Sequence, residues 1–110
     1  MNPRKAGCIL AAFLIAFVPL ALAQGTYTQF DPPGSIGTFA TGIDTAGDIV
    51  GYYDDGSSNY HGFLFSGGSF TALDVPGAAG TVAFGVNDQG AIVGAYTDPS
   101  FRVHGFLRTP

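Results

Sequence analysis

The sequence predicts an all-β protein built from two four-stranded antiparallel repeats, each resembling a propeller blade, after an N-terminal signal-peptide helix. Three observations carry this expectation. Glycine and proline abound after residue 24, helix formers are scarce there, and Glu and Trp are absent throughout; that composition excludes a helical bundle. Residues 25–67 laid on 68–110 without a gap are identical at twenty of 43 positions. A period of about 40–45 residues belongs to propeller blades or to helical repeats; the glycine and β-branched content excludes the helical option, and the same strands arranged another way would make a small barrel or sandwich. Within each period, short apolar runs are punctuated by Gly-, Pro- and Asp-rich turns.

The first segment stands apart from the repeats. Met1-Asn2-Pro3-Arg4-Lys5 is basic, Ala6 to Leu22 is an apolar run, and Ala21-Leu22-Ala23 precedes Gln24. That order is the n-region, h-region and small-x-small cleavage site of a secretory signal. The expected organisation is therefore a signal peptide over 1–23, a first β repeat over 24–67 and a second over 68–110. Cleavage would leave no stable membrane span and place the remainder in the periplasm or outside the cell. The single cysteine, Cys8, leaves with the signal, so disulfides, common in small exported folds, are not expected. Arg102 and Arg108 would then face eight aspartates, a balance that repels phosphate backbones and excludes a nucleic-acid partner.

The second repeat displays the expected strands. Val82, Phe84 and Val86 alternate along Thr81–Val86, and Asn87-Asp88-Gln89-Gly90 is a polar turn closed by glycine. Ala91–Tyr96 is a continuous apolar strand, Thr97–Arg102 a loose loop and Val103–Arg108 the next strand. In the first repeat the matching strand, Tyr60–Phe65, turns at Ser66-Gly67-Gly68-Ser69 into Phe70–Val75. Pro76-Gly77 then ends the ladder, because proline donates no hydrogen bond and glycine accepts the turn. Tyr27–Asp31, the counterpart of Phe70–Asp74, is expected to be the first strand of the mature chain.

The shared frame runs Asp-x-Pro-Gly, then Gly-Ile/Val-Asp/Asn-x-x-Gly-x-Ile-Val-Gly-x-Tyr, then His-Gly-Phe-Leu. It carries Asp31, Pro33, Gly34, Gly51, His61 and Phe63 in one copy. Asp74, Pro76, Gly77, Gly94, His104 and Phe106 fill the same positions in the other. This frame resembles the HAF family of extracellular repeat proteins, named for a His-Ala-Phe-like triplet that stands here as His61-Gly62-Phe63 and His104-Gly105-Phe106. The resemblance covers residues 25–110. It implies an exported bacterial protein with propeller-like repeats, no established biochemical activity and no catalytic residues.

The repeated positions call for structural roles. His61 and His104 have no Cys, Glu or adjacent His to complete the three or four ligands of a typical metal site; each is expected to bond a neighbouring turn. Asp31 and Asp74 stand where a short side chain caps the Pro-Gly turn. Asp44 becomes Asn87 and Asp48 becomes Ala91, so that pair is not a repeated cation site, and a calcium-loop spacing is missing. Asp54-Asp55 and Asp98, in the longest loops, are expected to be solvated. No Gly-x-Ser-x-Gly, cysteine nucleophile or phosphate-binding loop is present. Neither an enzyme nor a cofactor is therefore expected.

Ligand contacts are expected around the variable loop of each copy, best where the copies differ, because shared positions are explained by the fold. These candidates are Tyr52, Asp55, Asn59 and Tyr60 around the first variable loop, and Asp98, Phe101 and Arg102 around the second. The expected function is an exported non-enzymatic module for extracytoplasmic binding or assembly. The alternative is a lectin-like carbohydrate binder using Tyr/Asp pockets between repeats. Two propeller-like units cannot close a ring, since propellers carry about four to eight. The expectation is therefore self-association into a cyclic homo-oligomer or pairing with other extracytoplasmic repeat chains, the alternative being a partial protein of marginal stability.

Overall fold

Strands form where β-branched and aromatic residues cluster, and they stop at residues that leave the ladder. The structure is a computed structural model describing residues 25–110. It contains β1 (Gly37–Ile43), β2 (Ile49–Asp54), β3 (Tyr60–Ser66), β4 (Ser69–Ala72), β5 (Gly80–Val86), β6 (Ile92–Thr97) and β7 (Val103–Arg108). They make two antiparallel sheets, of order β1-β2-β3-β4 and β5-β6-β7. Residues 31–110 form one compact unit. The expected N-terminal helix lies outside the described residues.

The two repeats take the same local geometry. The register shifts between Ala40 and Gly42 in β1 and between Ala83 and Gly85 in β5, so Thr41 and Phe84 are matching bulge residues. Asp44 accepts at Oδ1 from the Asp48 N–H at 2.9 Å, and Asn87 does the same for Ala91 at 2.9 Å. The exchange of Asp for Asn between copies is thus explained by a turn needing a side-chain acceptor, not a charge. The Pro-Gly turns close with Ser35 N–H on the Pro32 carbonyl at 3.1 Å and Ala78 N–H on the Val75 carbonyl at 3.0 Å. Gly34 and Gly77 take the positive φ, 84° and 79°, that the third residue of a type II turn requires.

Three expectations need correction. The second sheet has three strands, not four, and residues 25–36, including Tyr27–Asp31, form no strand. Both follow from one fact. The fourth strand of the period, β4, pairs with the His-Gly-Phe-Leu strand that precedes it in the chain, Phe63↔Ala72 through Ser66↔Ser69. Residues 26–29 precede the first such strand instead of following one. The strand expected over Phe70–Val75 also ends early, at Ala72. Leu73 donates its N–H to the Gly62 carbonyl at 2.9 Å and Val75 donates to Thr81 Oγ1 at 3.1 Å, which carries the chain off the first sheet onto the second.

Strand alternation puts Val50, Leu64, Gly42 and Gly62 on one face of the first sheet. Ala83, Val86, Ile92 and Phe106 share one face of the second. These faces meet, and the core lies between them: Val50, Leu73, Ala83 and Ile92 are buried, with Leu64, Val86 and Phe106 packed against them. Backbone approach is close. A Cβ on Gly42 would lie 3.1 Å from Gly85 Cα, and one on Gly62 would lie 3.1 Å from Leu73 Cβ. Thr41 donates from Oγ1 to the Ala83 carbonyl at 2.6 Å across this contact. The matching turns are also tied, Thr45 N–H donating to Asp88 Oδ1 at 2.9 Å. That bond holds the Asp88 carboxyl below its ordinary pKa.

Val50→Ala removes two methyl groups from this contact and is expected to lower the unfolding free energy by about 2 kcal/mol. The measurement is a urea midpoint at unchanged slope. A loss under about 0.5 kcal/mol would show that the core does not lie between the sheets.

Candidate functional site

The polar residues shared by both repeats gather around the histidines. Asp55 opens the loop between β2 and β3, and its N–H bonds the Asn59 carbonyl at 3.1 Å. Its Oδ1 accepts from the Ser57 N–H at 2.8 Å, which leaves Oδ2 aimed at His61 Nε2, 2.8 Å away. The second repeat builds the same clasp. Asp98 accepts at Oδ1 from Ser100 and Arg102 N–H groups at 2.8 and 3.0 Å, and at Oδ2 from His104 Nε2 at 2.8 Å. Ser58 and Phe101, at matching positions, take left-handed φ values of 66° and 65°, although the loops part at Gly56, whose φ of 88° its counterpart Pro99 cannot adopt. Each clasp fastens a loop to the strand that follows it.

His61 carries a second carboxylate. Asp74 Oδ2, on the segment crossing to the second sheet, lies 3.0 Å from Nδ1. Asp74 thus reaches the histidine instead of capping its Pro-Gly turn, and Asp31 accepts from Thr38 Oγ1 at 2.7 Å. Both ring nitrogens of His61 face acceptors, so full satisfaction requires the imidazolium, with a proton on each. Bonds to Asp55 and then Asp74 accordingly raise the His61 pKa. The His61 bond, followed by the Ser57 N–H, lowers that of Asp55, as the His104 bond does for Asp98. Tyr53 lies against His61, ring centroids 5.2 Å apart, with its hydroxyl pKa raised by burial and then by Asp74 and Asp55.

At His61 this arrangement leaves no ring nitrogen free for acid–base chemistry. A general base offers a nitrogen lone pair to substrate, and both nitrogens of His61 are engaged by carboxylates of its own chain. Asp55 and Asp98 spend their oxygens on loop N–H groups and histidines. Among the described residues no group of three His, Cys, Asp or Glu side chains is placed to hold a metal ion.

The aromatic candidates lie on the other face of the first sheet. Register pairs Phe39 with Tyr52 and Tyr52 with Gly62, and Tyr60 is two residues before Gly62. Phe39 and Tyr52 stack at 4.9 Å, and Tyr52 meets Tyr60 edge-on at 5.6 Å. Phe39 and Tyr60 are both exposed. Tyr52 and Tyr60 therefore come together, while Asp55 turns to the opposite face with His61. Asn59 contributes its backbone carbonyl, and Arg102 its N–H, to the loop geometry. Phe101 projects almost fully exposed from the second loop.

Three partners escaped the sequence reading. Phe39 joins the tyrosines only through a register that a bulge shifts, and Asp74 meets His61 only because the chain crosses between sheets. Tyr53 meets His61 across β2 and β3. One signal was available: Asp55–His61 and Asp98–His104 have the same six-residue spacing in both repeats. No protein-family model, curated protein or solved structure matches the chain.

The clasp should be strongest at mildly acid pH. The lowered Asp55 pKa gives a contribution present above the ordinary 3.8 and lost as pH falls through the lowered value. The raised His61 pKa gives one fully present below the ordinary 6.5 and lost as pH rises through the raised value. An NMR titration should place His61 above 6.5, and Asp74→Asn should bring it down. A wild-type His61 titrating at or below 6.5 would refute the double clasp.

Proposed function

We propose that the chain is an exported, non-enzymatic β-repeat module, each sheet a propeller-blade-like unit, that works by binding and assembly outside the cytoplasm. The leader supports export. One observation carries the non-enzymatic reading: the polar side chains common to both repeats are used to fasten loops to strands. The residues free to touch a partner are the exposed aromatics and loop positions that differ between copies. The blade-like reading draws on the antiparallel order β1-β2-β3-β4 and on the way one repeat covers a face of the other. It also agrees with the resemblance to HAF repeats, which is a matter of motif alone.

The stacked group Phe39, Tyr52 and Tyr60 favours a second reading, a shallow carbohydrate-binding surface, because exposed aromatic rings stack on the apolar faces of sugars. Asp55 is not part of that surface, so specificity there would rest on the rings and Asp54.

Secreted product is expected to begin at Gln24 on N-terminal sequencing and to show no turnover with a panel of hydrolase and lyase substrates. Turnover abolished by Asp55→Asn or His104→Ala would overturn the non-enzymatic reading. On a glycan array, specific binding lost in Tyr60→Ala would select the carbohydrate reading over the assembly one.

A further inference from the structure

We infer that the outer face of the second sheet is a docking surface for the first sheet of another copy of this chain, so that copies join head to tail. This inference rests on the assembly reading above and names the surface that performs it. Matching residues of the two repeats differ in exposure. Val50 is 0% exposed, while its counterpart Val93 is 50% exposed. Leu64 is packed against the core, whereas Leu107 is 65% exposed. The face of the second sheet that repeats the covered face of the first is thus apolar and open.

The opposite comparison finds the complement. Ala83 and Ile92, at 0% and 1% exposure, are the second-sheet residues that press on the first sheet. Their first-sheet counterparts, Ala40 and Ile49, are exposed and half-buried, and Ile43, counterpart of Val86, is 66% exposed. The chain therefore carries both halves of a contact it has already made once internally. Side-chain-free approach is preserved too. A Cβ on Gly62 would lie 3.1 Å from Leu73 Cβ, but at Gly105 the nearest atom is Gly94 O at 3.9 Å, leaving room for an incoming chain.

Applying the internal relation once more fixes the rest of the interface. The incoming copy would set residues 26–29, counterparts of β4, along the edge of β7, as Ser69–Ala72 lies along β3. Its Asp31 would approach His104 as Asp74 approaches His61. An edge strand beside an exposed apolar face is the surface that proteins ordinarily cover. The contact joins different faces of the two copies, so it is heterologous and ends in a ring if the rotation closes.

Light scattering after gel filtration of the purified chain tests this. The wild type is expected at a discrete multiple of the chain mass. Leu107→Asp and Ile43→Asp, both at exposed positions, are expected to run as monomers with unchanged β circular dichroism; Val103→Asp replaces Leu107→Asp if that variant loses its fold. Mixing the two variants should restore one contact, between intact Ile43 and intact Leu107, and give a one-to-one heterodimer and nothing larger. A folded wild-type monomer at every concentration, an oligomer indifferent to both substitutions, or variants that stay monomeric when mixed would each overturn the inference. A monomer that still binds a glycan sinks the inference alone, whereas turnover sinks the non-enzymatic reading and leaves this surface standing.

Discussion

The fold depends on the approach of β5 to the first sheet at backbone distance. The described residues carry no disulfide and have little core to draw on; most of that core lies between the two sheets, with Phe63 buried on the opposite face of the first. Glycine at 42 and 62 removes the side chains that would hold the sheets apart. Val50, Ala83 and Ile92 then close without residual exposure. The bulge in β1 serves the same contact, since it frees the Thr41 hydroxyl to bond the Ala83 carbonyl across it. Thr81, the buried polar residue of this region, accepts at Oγ1 from the Val75 N–H, so its hydroxyl keeps a partner where water is excluded.

The histidine clusters follow from that architecture. A strand that begins after a five-residue loop needs the loop tied down, and an aspartate opening the loop reaches both its N–H groups and a histidine on the next strand. One carboxylate thereby orders two elements. The additional Asp74 contact in the first repeat exists because the chain must cross from one sheet to the other beside His61. The clustering of titratable groups and the raised His61 pKa would ordinarily suggest an active site. At His61, however, carboxylates of the same chain engage both ring nitrogens, whereas His104 is bonded to Asp98 at Nε2.

Much of this was legible in the residues. The Ile-Val-Gly-x-Tyr and His-Gly-Phe-Leu segments announce strands by composition, and β7 follows its expected bounds, Val103–Arg108. The Asp44/Asn87 exchange identified turn acceptors without any coordinates. The strand expected at Tyr27–Asp31 did not form, since local propensity cannot provide a neighbour to pair with. The Tyr/Asp grouping was likewise misplaced. Tyr52 and Tyr53 are adjacent in sequence yet lie on opposite faces, and a bulge one strand away decides which aromatic joins which.

Sequence alone determined the all-β class, the 43-residue period and the turn positions, because each is set by short-range pattern and steric preference. Only the tertiary structure decided that the first sheet has four strands and the second three, that Asp74 clasps His61, and that one face of each repeat meets the other. Those outcomes depend on which distant segments come within hydrogen-bond and van der Waals reach. Neither the repeat nor its periodicity encodes that reach until the chain has crossed from one sheet to the next.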